Sequence, residues 1–169
     1  MIILSIDIGS TCGIAISTSL GIEYAKEYKF TSLKNLLRDM RELVDTWRPD
    51  MVLAPIPTRR YETIFKHGKM LGIIKLICEM KDIIYIQVVD SHCKKVVIGK
   101  GDAKKEDIER HYPEYNSGHI RDAVMFIDAY AKDLQIRALG LPGKEALATY
   151  TSKRGWNDSY KKLFELIDK

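Results

Sequence analysis

The residue best placed to do chemistry is Asp7, which interrupts the apolar segment MIILSIDI at the start of the chain. An unpaired charge inside a buried strand is expensive, so we expect a partner that compensates it, and a divalent metal ion is the simplest one. Aspartate and glycine are also common turn residues, and Gly9-Ser10-Thr11 can be read as an ordinary turn. The interruption of an apolar strand favours a functional carboxylate.

The segment from Asp7 to Ser10 follows the pattern D-x-G-[ST], which also opens sugar-kinase and actin-like ATPase domains, where the turn binds phosphate. Those proteins need a second phosphate-binding segment and usually a duplicated domain. A chain of 169 residues is too short for both halves. A phosphate-handling fragment of an ATPase fold therefore remains an alternative that the length disfavours.

A second pair of reactive side chains, His119 and Asp122, lies on a helix predicted over residues 117–132. Residues three apart share a helix face, and imidazole and carboxylate groups both bind metals and carry protons. The alternative is an acidic residue favoured by the helix macrodipole beside a surface histidine. If the shared face points at the end of the first strand, both residues join Asp7 in one site.

The elements that must position these residues follow from hydrophobic periodicity and turn residues. Strands are predicted over residues 1–8, 13–18, 22–30, 51–56 and 83–89. Helices are predicted from Thr31 or Ser32 to Trp47, over 61–80, from Ser91 to the Gly99 turn, from Asp102 to Tyr112, and over 117–132. The order βββαβαβ followed by helices predicts an α/β protein with an RNase H-like fold, a mixed five-stranded sheet flanked by helices. We expect residues 1–135 to form this nuclease domain and residues 136–169 to form a C-terminal helical extension of it.

The composition excludes several classes of protein. No apolar run approaches the ~20 residues that cross a bilayer, so we expect no membrane association and a cytoplasmic location, in a bacterium or a phage-infected host. The cysteines Cys12, Cys78 and Cys93 have no metal-ligand spacing and read as reduced, mostly buried thiols. The net charge of +4 is a mild hint of a polyanionic partner.

Four segments of the chain resemble the RuvC family of Holliday junction resolvases, in particular its short bacteriophage members. They are SIDIGSTCGIAI, TIFKHGKMLGIIKLICE, CKKVVIGKGDAKK and HIRDAV, and the resemblance runs from Met1 to about Ala131. The third segment is the most specific, because members carry a similar K-x-x-x-x-G-x-G-x-A-x-K pattern before the next helix. The first and last are common patterns whose order and spacing fit.

The resemblance implies Mg²⁺-dependent cleavage of branched DNA, four-way junctions above all, by a homodimer; Mn²⁺ is an alternative metal. Asp7 and Asp122 match the family's metal carboxylates, and His119 stands where many members have another aspartate and some have histidine. Lys94 and Lys105 match basic residues near the scissile phosphate and the junction backbone. By this correspondence the catalytic set is Asp7, His119, Asp122 and Lys105.

One position departs from the family. The resolvases place a catalytic glutamate at the end of the strand read here as MVLAPI, and this chain has Pro55 there. Proline cannot bind metal, so Glu62 or Asp90 would have to supply the missing carboxylate. Each is otherwise an ordinary acidic residue at a helix start. The alternative function is a junction-binding protein that keeps the resolvase fold but cleaves poorly.

Basic residues crowd the middle of the chain, where the resemblance predicts contact with DNA phosphates. The predicted DNA-binding residues are Arg59, Arg60, Lys66, Lys94, Lys95, Lys100 and Lys104. Solvated helix faces are the alternative interpretation. Tyr61 or Phe65 could act as an aromatic wedge at the branch point, although we expect Phe65 to lie in the core. Gly68 and Gly72, four residues apart on one predicted helix, suggest close approach of another backbone and a seam between two subunits.

Overall fold

The structure, a computed structural model, describes residues 1–56 and 61–138, with side chains for 1–56 and 64–134. Arg59 and Arg60 lie outside the described residues, as does the predicted helical extension beyond residue 138. None of the helices in the described ranges is both long and apolar enough to span a membrane.

In the described ranges, one five-stranded sheet carries the fold. Its strands are β1 (Ile3–Asp7), β2 (Cys12–Thr18), β3 (Gly21–Tyr28), β4 (Met51–Pro55) and β5 (Ile84–Val88). Their order across the sheet is β3-β2-β1-β4-β5, with β1, β2 and β3 antiparallel and β4 and β5 parallel additions. This is the predicted RNase H-like mixed sheet, and β1 lies at its centre.

Five helices flank the sheet in the described part of the chain. They are α1 (Leu33–Trp47), α2 (Tyr61–Met80), α3 (Asp90–Ile98), α4 (Lys105–His111) and α5 (Gly118–Ala138). The backbone N–H of Asn35 donates to the side chain of Ser32, which caps α1 as predicted. The predicted caps at Ser91 and Asp102 are wrong. Helix α3 begins one residue before Ser91, and α4 begins at Lys105, where Asp107 accepts from the N–H of Lys104 at 3.1 Å.

The sheet separates two hydrophobic cores, because successive side chains of a strand point to opposite faces. Leu4, Ile6 and Ile8 belong to the core beneath α1 and α2. Ile3 points the other way, into the core beneath α3, α4 and α5. By the same alternation Asp7 faces the α5 side of the sheet, at the end of its central strand.

Helix α2 buries one face, but its described core residues begin only at Met70. Leu71, Ile74 and Cys78 are buried, whereas Ile64 is 40% exposed and Phe65 is 67% exposed. The expectation that Phe65 belongs to the core is therefore wrong. The physical reason is that the first described turns of α2 precede Met70, the first residue of this helix to join the core under the sheet. Cys12, Cys78 and Cys93 are buried and form no disulfide within the described residues, as expected.

Candidate functional site

A hydrogen bond between Asp7 and His119 joins the end of the central strand to the start of α5. The Nδ1 atom of His119 lies 2.8 Å from Oδ2 of Asp7, across 112 residues of sequence. The Asp7 side chain is 18% exposed and that of His119 is 43% exposed, so the pair is open to a ligand. The hydrogen bond to Asp7 is the main cause of a raised pKa at His119, which burial partly opposes.

Gly13 makes this contact possible, since it brings the backbone of α5 directly onto the sheet. Gly13 is the register partner of Asp7 on β2. A Cβ atom at residue 13 would lie 1.9 Å from the backbone oxygen of His119, a distance that no side chain can occupy. A Cβ atom at Gly9 would lie 3.7 Å from the imidazole ring. Sequence reasoning assigned Gly9 to a turn but gave Gly13 no role.

Asp122 lies one helical turn after His119 and is the most perturbed carboxyl of the site. Burial, followed by the charges of Asp7 and Asp90, raises the pKa of Asp122 from 3.8 to about 7. Its Oδ1 atom is shielded from solvent and has no hydrogen-bond partner among the described residues. A buried carboxyl oxygen without a partner points to a missing positive ligand.

Asp90 and Lys94 form an ion pair, and both of their charges act on Asp122. The Nζ atom of Lys94 lies 2.6 Å from Oδ2 of Asp90, with the lysine side chain 20% exposed and the aspartate 47% exposed. Both charges act on the pKa of Asp122, Asp90 raising it and Lys94 lowering it. The two predicted residues therefore lie close to the Asp7 cluster.

Pro55 lies at the end of β4, on the face of the sheet that carries Asp7. Ser5 of β1 pairs with Leu53 of β4, so two further residues along the strands bring Pro55 beside Asp7. The alternation along β4 points residue 55 to the α5 face, because Met51 and Leu53 belong to the core on that side. A carboxylate at residue 55 would face the cluster, and the proline leaves that place without one.

His67 is a neighbour of the site that sequence reasoning did not single out. It shares the inward face of α2 with Leu71, Ile74 and Cys78, but lies before the helix reaches the core. Burial lowers the pKa of His67, while the charge of Asp7 raises it and that of Lys66 lowers it. The periodicity of α2 could have indicated it, because His67 continues the row of buried positions towards the end of the sheet.

The side chains are not arranged as a ready-made metal cage. Among the residues whose side chains are described, no three His, Cys, Asp or Glu groups are placed so that they could hold a metal ion. Asp7 and His119 are instead bonded to each other. The donor set nevertheless fits a hard cation, because carboxylate oxygens are the ligands that Mg²⁺ prefers and Oδ1 of Asp122 lacks a partner among the described side chains. Asp7 and Asp122 would supply the carboxylates that hold it, while the imidazole of His119 stays hydrogen-bonded to Asp7.

The remaining predicted residues are exposed lysines or lie outside the description. Lys95, Lys100, Lys104 and Lys105 are exposed on α3, the following turn and the start of α4, and Lys66 is exposed on α2. No described contact joins Lys105 to Asp7 or Asp122. Glu62 lies in the first turn of α2, and its side chain is outside the description.

Comparison by sequence finds no match: neither a protein-family model nor a curated protein matches this chain. Comparison by structure finds proteins that match most of this chain. RuvC of Thermus thermophilus is similar with a TM-score of 0.70 at 17% identity, over 81% of this chain and 97% of that one. RuvC of the same organism in complex with a Holliday junction substrate gives a TM-score of 0.69 at 17% identity, over 81% and 96%. Fowlpox virus resolvase, in complex with its substrate Holliday junction DNA, gives 0.53 at 17% identity, over 79% and 99%.

These similarities identify the architecture as an RNase H-like fold of the RuvC type, as the sequence predicted. They extend over nearly the whole length of the similar proteins. An identity of 17% speaks for the fold alone, so the function has to be argued from the side chains at the end of β1.

Proposed function

We propose that this protein is a structure-selective DNA endonuclease, which cleaves Holliday junctions or other branched DNA with the help of Mg²⁺ or Mn²⁺. The observation that carries the proposal is the cluster of Asp7, His119 and Asp122 at the end of the central strand of a RuvC-type fold. Exposed lysines on α3, on the turn after it and at the start of α4 suit a DNA backbone.

Each residue has a defined part in the proposed hydrolysis. The Asp7 carboxylate orients the imidazole of His119 and stabilises its protonated form, so that His119 can accept a proton from the attacking water. Lys105 would stabilise negative charge on the phosphate. Mg²⁺ bound by Asp7 and Asp122 would supply Lewis-acid stabilisation of the same charge.

The test is cleavage of a synthetic four-way junction in Mg²⁺, in Mn²⁺ and in EDTA, with linear duplex of the same sequence as a substrate control. We expect paired nicks in the metal-containing reactions only. Asp7→Asn and Asp122→Asn should each lower the rate by at least about 100-fold, the scale on which catalytic groups act. Asp45→Asn is the matched control, because Asp45 pairs with Lys81 on a remote surface. Equal cleavage of duplex and junction, or full activity of Asp7→Asn, would sink the proposal.

The second candidate is a junction-binding protein that has lost efficient cleavage, and Pro55 is the observation that favours it. The family glutamate is missing at a position that faces Asp7. Under this hypothesis the protein binds junctions tightly without nicking them, and Pro55→Glu restores nicking. If the natural chain already cleaves, Pro55→Glu changes the rate by a modest factor.

We propose Asp90 as the substitute for that missing carboxylate. The support is its electrostatic effect on Asp122 and its place two residues beyond β5, the strand next to β4. Asp90→Asn should weaken Mn²⁺ binding, measured by electron paramagnetic resonance, about tenfold or more, while Asp102→Asn should leave it unchanged. Unaltered Mn²⁺ affinity in Asp90→Asn would assign the role elsewhere, with Glu62→Gln as the next variant.

We also propose a homodimer whose seam is the outer face of α2. A Cβ atom added at Gly68 or at Gly72 would meet no atom of the described residues within 4 Å. Leu76 is 53% exposed and Met80 is 70% exposed along the same row. Small residues beside exposed apolar ones permit close helix packing, which is the reason to expect a partner helix there.

The oligomeric state tests this seam. Sedimentation equilibrium should give a dimer mass for the natural chain and a monomer mass for Leu76→Glu. Leu20→Glu is the control, because Leu20 is 88% exposed in the turn between β2 and β3, far from α2 along the sheet order. A natural chain that is monomeric at micromolar concentration, or a Leu76→Glu variant that remains dimeric, would remove α2 as the seam.

A further inference from the structure

Glu27 on β3 lies in the same cross-strand row as Asp7. Asp7 pairs with Gly13 on β2, and Gly13 pairs with Glu27 on β3. Directly opposed residues of antiparallel strands share a face of the sheet. Ala25, two residues before Glu27, packs on the core beneath α5, which agrees with this direction. The row therefore carries a carboxylate at each end and no side chain in the middle.

The first turn of α5 lies over the gap in this row. A Cβ atom at residue 13 would lie 1.9 Å from the backbone oxygen of His119, so the helix backbone occupies the space between the two carboxylates. On one side His119 bonds to Asp7 at 2.8 Å. On the other side the hydroxyl of Ser117 donates a hydrogen bond to Glu27. The start of the helix is thus attached to a carboxylate on each side.

Ser117 is the residue at which α5 begins to turn. Its carbonyl oxygen accepts from the N–H of Arg121 at 3.0 Å, and its hydroxyl accepts from the N–H of Ile120 at 3.4 Å. This is the arrangement of a helix N-cap. A hydroxyl has a single proton to donate, and Ser117 gives it to Glu27. Glu27 therefore holds the residue that sets where the first turn of α5 starts.

The charge of Glu27 also suits the end of α5. The first turn of this helix has no acidic residue of its own, and a carboxylate stabilises the partial positive charge of a helix N-terminus. Glu27 supplies one from another strand. Its charge acts on His119 in the same direction as that of Asp7, so it lies close to the imidazole. Beside a DNA-binding site a carboxylate repels phosphates, and its presence there calls for a compensating role.

We propose that Glu27 is a positioning residue of the cleavage reaction. Through Ser117 it holds the first turn of α5, so that His119 and Asp122 face Asp7. The effect on rate rests on the proposed function, whereas the effect on the geometry of α5 does not. Glu27 bonds to Ser117 and to no reacting group, so its loss should lower the rate of the chemical step and leave DNA binding nearly unchanged.

The first experiment measures kcat and KM of the full-length protein on a four-way junction in Mg²⁺. A displacement of about 1 Å lowers a rate on the order of 100-fold, so Glu27→Ala should lower kcat at least about tenfold with KM within about twofold. Glu27→Gln keeps an acceptor for the Ser117 hydroxyl and should retain at least about a third of kcat. Ser117→Ala should match Glu27→Ala, and the double variant should lose no more than either single variant.

Glu23→Ala is the matched control. Glu23 is an exposed acidic residue of the same strand, and its hydrogen bond goes to Thr18 and not to α5. We expect kcat and KM of this variant to equal those of the natural chain, and thermal unfolding verifies that every variant folds. If Glu27→Ala and Glu27→Gln both lower KM at unchanged kcat, Glu27 only repels DNA and the proposal is overturned.

The second experiment needs neither DNA nor metal. In EDTA, the hydrogen-bonded imidazole N–H of His119 should give a downfield proton NMR signal in the natural chain and in Glu27→Gln. Glu27→Ala should lose this signal or exchange it with water faster. If Glu27→Ala keeps both the signal and kcat, the positioning role fails and the proposed function stands. If the natural chain does not cleave, the proposed function fails, and the NMR signal still decides whether Glu27 positions His119.

Discussion

At the scale of single residues, the site is defined by carboxylates that crowd one another. Asp7 bonds to the imidazole of His119, and the charges of Asp7 and Asp90 both act on Asp122. Like charges near a desolvated carboxyl favour its protonated form, which is why the pKa of Asp122 rises to about 7. Folding therefore brings together carboxylates whose mutual repulsion a bound cation would reduce.

The first prediction concerns stability and pH in the absence of metal. Between pH 3.8 and about 7 the folded protein keeps a proton on Asp122 that the unfolded chain has released. The contribution of Asp122 to stability is therefore fully present below pH 3.8 and is lost as the pH rises towards 7. Asp122→Asn removes this loss, so we expect the variant to be more stable than the natural chain at pH 8 by on the order of 2 kcal/mol.

Urea unfolding in EDTA at pH 4, 6 and 8 measures this effect. The difference between Asp122→Asn and the natural chain should widen with pH, whereas Asp102→Asn, an exposed aspartate, should run parallel to the natural chain. A constant difference across the range would contradict the burial of an ionisable carboxyl at residue 122.

Which of these residues could be found without the structure depends on their chemistry. Asp7 stands out because an apolar strand does not carry a carboxylate without reason, and His119 and Asp122 because they share a helix face. Gly13 carries no such mark, because its role comes from the packing of α5 on β2, two elements distant in sequence. His67 is marked only by the periodicity of α2, and its place near Asp7 depends on how that helix packs.

At the scale of elements, the docking of α5 on β2 places two site residues opposite Asp7. The approach is so close that residue 13 has no room for a side chain. The hydrogen bond between Ser117 and Glu27 of β3 adds a second attachment at the same end of α5. The start of α5 is therefore attached to β2 and β3, while His119 reaches Asp7 on β1.

The second prediction is that Gly13→Ala disturbs the site more than it disturbs the fold. The added Cβ must push the first turn of α5 away from β2, which should cost about 1–3 kcal/mol of unfolding free energy. The displacement should break the Asp7–His119 hydrogen bond, so the pKa of His119, measured by proton NMR, should fall towards its ordinary value of 6.5.

Gly118→Ala is the control for this prediction. It changes the residue next to His119, and a Cβ at position 118 meets no atom of the described residues within 4 Å. We expect it to leave the stability and the pKa of His119 nearly unchanged. If Gly13→Ala behaves in the same way, the close approach of α5 to β2 is not what positions His119.

Most elements could be predicted because their signals are local. The alternation of the strands and the Ser32 cap of α1 depend on neighbouring residues, and helix α2 has the predicted bounds Tyr61–Met80. The starts of α3 and α4 could not be predicted from Ser91 and Asp102. A serine or aspartate caps a helix only if the backbone enters the helix at that residue. At α4 that turn comes after Ala103, which is buried in the core.

At the scale of the whole molecule, the modest net charge of +4 conceals an uneven distribution. Lysines concentrate on α3, on the turn after it and on the start of α4, and the charge of Lys94 on α3 acts on Asp122. A polyanion would be drawn to this side and bound through its phosphates, and each phosphate that a lysine neutralises releases counterions and makes affinity depend on salt.

The third prediction is a strong salt dependence that these lysines carry. The logarithm of junction affinity should fall linearly with the logarithm of salt concentration between about 50 and 200 mM. The double variant Lys95→Gln/Lys100→Gln should reduce the slope by about 2, one for each phosphate that is no longer neutralised. Lys81→Gln is the control, because Lys81 pairs with Asp45 at the opposite end of α2. A slope that the double variant does not change would place the DNA elsewhere.

The hydrogen bond between Asp7 and His119 also has a consequence for how the protein is made. Its two partners are 112 residues apart in sequence, and the second is on α5, after every strand of the sheet. A ribosome that adds ~5–20 residues per second needs on the order of 10 s between them. A nascent chain from which α5 has not emerged lacks His119 and Asp122. The proposed cleavage can therefore begin only after strands β1 to β5 have been synthesised and are able to fold.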